Sequence, residues 1–205
     1  METCRLIRGR KGDSIAMEGL KIEEVLTYLD ENFDNDLKAV QDFMRMKSIS
    51  ATGEGIRETA ERVKEMIEEC GGTSELIETP GNPIVYGRID EKAEHTLLIY
   101  SMYDVLPAEE PDWISDPWAA EIHPFRDYGD CIIGRGAVNT KGPTVAFFRA
   151  IKAYKKIAGK LPVNLVFLIE GEEECSEIHT ESMIHYLEDY MYCTRKLGLY
   201  VQLVA

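Results

Sequence analysis

Two apolar runs, residues 96–100 and 165–169 (the second within a strand expected over 163–169), constrain the fold most, because each ends abruptly in a polar or acidic cluster. A segment apolar at every position, rather than at every second one, belongs to a strand buried on both faces. Amphipathic segments are present to cover such strands. Ile22, Val25, Leu26, Leu29, Phe33, Leu37, Val40, Phe43 and Met44 step by three and four, which predicts a long helix bent near Asn35. Ile56, Ala60, Val63 and Ile67 predict a second helix, stopped at Gly71-Gly72, where a left-handed residue is needed. Short strands at 74–78 and 84–89 flank the turn cluster Pro80-Gly81-Asn82-Pro83. A long loop over 101–128 leads to a strand at 131–133 and a helix at 144–157. A helix at 181–192 and a strand at 197–204 follow the second apolar run. Strands alternating with helices of this size predict a three-layer α/β/α fold with a largely parallel sheet. Residues 1–16 hold Arg5, Arg8, Arg10 and Lys11 without apolar period and are expected to be a disordered extension, with Met17 as the natural start.

Composition removes several classes of function. The 37 acidic against 23 basic residues leave a net charge of −14, so the chain is not expected to bind nucleic acid, which needs clustered cations. No apolar run approaches the ~18 residues of a membrane span, and no secretory signal is expected at the start. Cys4, Cys70, Cys131, Cys175 and Cys193 are odd in number and contain no Cys-x-x-Cys, which reads as free thiols in a reducing cytoplasm.

In parallel α/β sheets ligands bind beyond the carboxyl ends of the strands, and three polar clusters fall at such ends. They are Ser101-Met102-Tyr103-Asp104, Gly136-Ala137-Val138-Asn139-Thr140-Lys141-Gly142 and Glu170-Gly171-Glu172-Glu173-Glu174. Carboxylates gathered on one edge repel, which raises their pKa values unless a cation compensates, and so points to a metal site or a general base. The plain structural alternative is a solvated helix start for the glutamates and a turn cap for Asp104. Lys141 either balances the carboxylates or sits in solvent. His95, His123, His179 and His185 are read as surface or packing residues, and Trp113 and Trp118 as closing a loop over the core.

In this order and spacing the clusters resemble metallopeptidase family twenty, which includes acetylornithine deacetylase, succinyl-diaminopimelate desuccinylase, carnosinase-type dipeptidases and glutamate carboxypeptidase. The family's G-H-x-D-V-x-P is matched by Ser101-Met102-Tyr103-Asp104-Val105-Leu106-Pro107, and its W-x-x-D-P-F by Trp113-Ile114-Ser115-Asp116-Pro117-Trp118. Its G-R-G-x-x-D-x-K-G is matched by residues 134–142 and its E-G-x-E-E by residues 170–174. The resemblance implies a zinc-exopeptidase-like fold, of which residues 17–205 form the N-terminal part of the catalytic domain. It also implies a metal-dependent amide hydrolase acting on a small peptide or N-acyl amino acid, with zinc or another divalent metal as cofactor and a homodimer as the full-length form. Carried over, Glu173 would be the general base, Glu174 a metal ligand, and Asp104 the acid that orients the motif's His.

Two positions depart from the pattern: Met102 stands at the metal-binding His and Asn139 at the bridging Asp. A thioether is a poor zinc ligand, and a neutral amide supplies no charge to hold two cations close together. Family members also continue beyond this pattern with a later metal-binding acid, a C-terminal His and a lid or dimerisation domain. The expectation is therefore an amide hydrolase for the intact gene. For these residues alone it is an inactive scaffold, with no metal centre expected in this chain. A calcium or magnesium module at residues 172–174 is the remaining reading, without EF-hand spacing to support it.

Overall fold

The computed structural model describes residues 22–175 and the backbone of residues 200–203. The expectations for residues 1–16, for the helix at 181–192 and for His179 and His185 lie outside the described residues. Helices α1 (Ile22–Glu31), α2 (Phe33–Arg45) and α3 (Ile56–Glu69) precede strands β1 (Thr73–Ile77), β2 (Ile84–Ile89) and β3 (Thr96–Met102). A hairpin of β4 (Glu121–Pro124) and β5 (Asp130–Ile133) follows, then α4 (Lys141–Ala158), β6 (Asn164–Glu170) and β7 (Tyr200–Leu203).

The long first helix breaks at Asn32 rather than Asn35. The Asn32 side-chain amide donates to the Tyr28 carbonyl at 2.8 Å, while its own carbonyl accepts from Asn35 and Asp36 and starts α2. The stop of α3 is as expected, with Gly71 at φ +80°. Helix α4 begins at Lys141, three residues before the apolar period does, because Lys141 itself is buried.

The main sheet has the order β1-β2-β6-β3-β7. Strand β6 pairs in parallel with β3, and β3 with β7, but β1–β2 and β2–β6 are antiparallel. The α/β class stands, with the sheet parallel across β6, β3 and β7 and antiparallel where β2 and β1 join it. The short turn at Pro80 to Pro83 makes β1 and β2 antiparallel neighbours. The strand at 131–133 lies outside the main sheet; it pairs with β4, which sits inside the segment expected to be loop.

The core lies mainly between this sheet and α2, α3 and α4. Phe43, Val63, Ile67 and Phe148 pack there against Val85, Ile99 and Phe167, and the Phe148 and Phe167 rings stack at 5.4 Å. Leu98, Val166 and Leu168 form a smaller cluster on the opposite face of the sheet. Strand β6 is thus buried on both sides, as its unbroken apolar run requires.

Candidate functional site

The parallel register places Met102 opposite Glu170, so β3 and β6 end side by side and the chains beyond them share one edge. Tyr103 continues the ladder, its N–H donating to the Glu170 carbonyl at 2.8 Å. Asp104, only 1% exposed, then accepts from the backbone N–H groups of Glu173 (3.3 Å) and Glu174 (3.0 Å). Each carboxylate oxygen therefore grips one amide of the short helical turn Glu173–Cys175. Burial raises the pKa of Asp104 although these hydrogen bonds favour its charged form. Burial also raises Glu170, against the hydrogen bond from the Tyr100 hydroxyl. Glu174 is raised by burial and by the charges of Glu173 and Asp104.

The cluster at residues 136–142 reaches this edge by another route than a sheet strand. The N-terminus of α4 enters from the side, with the Thr144 and Ser101 hydroxyls 2.9 Å apart. Lys141 is fully buried; its ammonium donates to the Met46 carbonyl and lies 5.4 Å from the centre of the Phe43 ring. Burial pushes its pKa down to about 7, and the Asp104 charge pulls the other way. Of the two readings of Lys141, the solvated one is thereby excluded. Arg135 pins the loop after β3. It donates to the Pro107 carbonyl (2.9 Å) and to Glu110 (2.5 Å), and stands over Trp113 at 5.3 Å. Trp118 lies under Lys47 at 5.6 Å, so both tryptophans carry cations at the edge of the loop rather than cover the core. His95 is exposed, and His123 is paired with Glu121 at 2.9 Å.

The sequence-predicted residues are only partly brought together. Asp104, Glu173 and Glu174 are joined by direct hydrogen bonds. Met102 is buried at the end of β3, whereas Asn139 is exposed and its side-chain oxygen accepts from the neighbouring Thr140 hydroxyl. Among the described residues no group of three or more His, Cys, Asp or Glu side chains could hold a metal ion. A thioether, an amide already engaged and one carboxylate do not fit a two-zinc centre. Sequence reasoning missed Tyr103 and Asn82, which touch the acid turn. Tyr103 was the variable position of its motif, and Asn82 showed only as a turn former.

The sequence pattern described as "Peptidase family M20/M25/M40" matches residues 98–203. Cys-Gly metallodipeptidase DUG1 of Candida albicans is 36% identical over 104 residues, which are 50% of this chain and 21% of that protein. Beta-Ala-His dipeptidase of Homo sapiens is 30% identical over 112 residues, 54% of this chain and 21% of that protein. Among solved structures, the M20 family metallo-carboxypeptidase Sso-CP2 from Sulfolobus solfataricus has a TM-score of 0.64 at 36% identity. It covers 81% of this chain, which in turn covers 36% of it. Human carnosine dipeptidase 1 shares the fold, with a TM-score of 0.75 at 23% identity over 89% of this chain and 40% of its own. The chain thus spans well under two thirds of the relatives it matches.

Proposed function

The chain belongs to peptidase family M20/M25/M40, and on that premise we propose that residues 17–205 are the N-terminal part of the catalytic domain of a metal-dependent dipeptidase. The observation that carries the reading is the buried Asp104 carboxylate holding the amides of Glu173 and Glu174 at the shared ends of β3 and β6. That grip presents Glu173, whose side chain is exposed, on a turn with a fixed backbone. An exposed carboxylate so placed suits a general base, taking a proton from water and passing it to the leaving amine. Asp104 acts through the backbone and is a positioning residue. The relatives' names favour dipeptides over N-acyl amino acids as substrates. Zinc or another divalent metal is the family's cofactor, but Met102, Asn139 and Glu174 do not supply a site for two ions. The cysteine pattern supports a reducing cytoplasm as the compartment, and no helix among the described residues is long and apolar enough to cross a membrane.

The test is hydrolysis of Cys-Gly and β-Ala-His dipeptides by the protein containing these residues. Glu173→Gln is expected to lower kcat by about 10²- to 10⁴-fold with KM little changed. Turnover unaffected by that substitution contradicts the reading. A second reading, a relative that keeps the scaffold without a metal centre, is favoured by Met102 and Asn139. It predicts no hydrolysis in the native protein, with Met102→His combined with Asn139→Asp as the change that restores metal binding.

A further inference from the structure

The turn at residues 171–174 is held from two sides, and only one of them belongs to the motifs. From β3, Asp104 grips the Glu173 and Glu174 amides. From the opposite side, the Asn82 side-chain amide donates to the Gly171 carbonyl at 2.6 Å. Asn82 sits in the β1–β2 turn, which is braced internally: the Thr79 hydroxyl donates to the Asn82 carbonyl at 2.8 Å and accepts from the Gly81 N–H at 3.1 Å. Tyr103 connects the two sides. It is fully buried, its phenol donates to the Pro83 carbonyl at 2.7 Å, and its own carbonyl accepts from the Ser48 hydroxyl at 2.6 Å. A Cβ on Gly171 would overlap the buried Tyr103 ring. The glycine of the E-G-x-E-E pattern therefore has a local cause in this chain, the aromatic ring lying against it.

We propose that Asn82 and Tyr103 are positioning residues that strap the β1–β2 turn to the acid turn and so set where Glu173 and Glu174 stand. Asn82 lies outside residues 98–203, the segment that matches the family pattern. The strap thus makes the antiparallel half of the sheet a structural partner of the site. Its function as a strap for a general base rests on the proposed hydrolase, but its existence does not, and the test needs no turnover. A neutral amide also suits the place: a carboxylate there would face the Gly171 carbonyl and add charge beside Glu172, Glu173 and Glu174.

Amide hydrogen exchange, followed by NMR on the whole chain, reads the strap directly. In the native protein the Glu173 and Glu174 amides are protected by Asp104. Asn82→Ala and Tyr103→Phe are expected to speed exchange at these two amides by about tenfold or more, with amides of α2 unchanged. Asn82→Asp is expected to speed it further. Unchanged exchange at both amides in a folded Asn82→Ala protein overturns the proposal. So does acceleration spread evenly over the sheet, which marks general destabilisation. If Tyr103→Phe does not fold, Asn82→Ala alone decides. Where dipeptide hydrolysis is measurable, Asn82→Ala is expected to lower kcat with KM held. Failure of the hydrolase reading shows instead as a silent Glu173→Gln, with the exchange result intact.

Discussion

Along the outer face of α3, Glu69 is hydrogen-bonded by Arg62 and Lys152, and at the ends of β3 and β6 Asp104 is hydrogen-bonded by two backbone amides. Burial pushes both carboxyls upward. At Glu69 the two cations outweigh it and hold the pKa at about 2, whereas at Asp104 burial prevails. The difference is the kind of partner. Full charges in partial solvent keep an acid ionised at little cost, while backbone dipoles in a dry place fix its geometry without offsetting the cost of burying it. The first arrangement decorates a surface, and the second fixes the backbone of a turn.

The sharpest way to break this contrast is to remove the buried acid. Asp104→Ala leaves two amides without their acceptor and is expected to cost about 2–3 kcal/mol in denaturant unfolding. A loss within the range of ordinary surface changes would place Asp104 with the decorative acids. Next in size is the buried cation. The pKa of Lys141 falls from 10.5 to about 7 on folding. Between those values the unfolded chain holds the proton and the fold does not, so stability rises with pH across that window, by at most about 1.4 kcal/mol per pH unit. Below about 7 the penalty is fully present. Unfolding curves at pH 6 to 9 are expected to show the rise in the native chain and to lack it in Lys141→Met. The smallest effect belongs to Glu69. Its side chain is 39% exposed, so screening discounts its ion pairs, and Glu69→Gln is expected to cost no more than about 1 kcal/mol. That cost is present above the ordinary carboxyl value of 4.5 and vanishes as pH falls through about 2. Carbon-detected carboxyl titrations sharpen the same point, with Glu69 titrating below its ordinary value and Asp104 and Glu174 above theirs.

What could be read in advance follows the same division. The apolar runs mark β3 and β6 because burial on both faces leaves no freedom of pattern, and the clusters beyond them single out Asp104, Glu173 and Glu174, which the fold brings together. Of the hairpin only β5 is legible; β4 is not, since Glu121, Ile122 and Pro124 are all exposed and carry no alternation. The place of β6 is not legible, because β2 and β3 are joined directly through residues 90–95, and β6 inserts between them only in space. Lys141 was ambiguous because its acceptor is a main-chain carbonyl, that of Met46, which no sequence pattern marks. Tyr103 and Asn82 escaped for the same reason, as their partners are the carbonyls of Pro83 and Gly171.

We infer that Met102, Asn139 and Glu174 give these residues too few donor atoms for a two-cation centre. Zinc content of the purified chain after dialysis against trace zinc tests this most directly. The predicted result is no stoichiometric zinc, and roughly two retained ions per chain would contradict it.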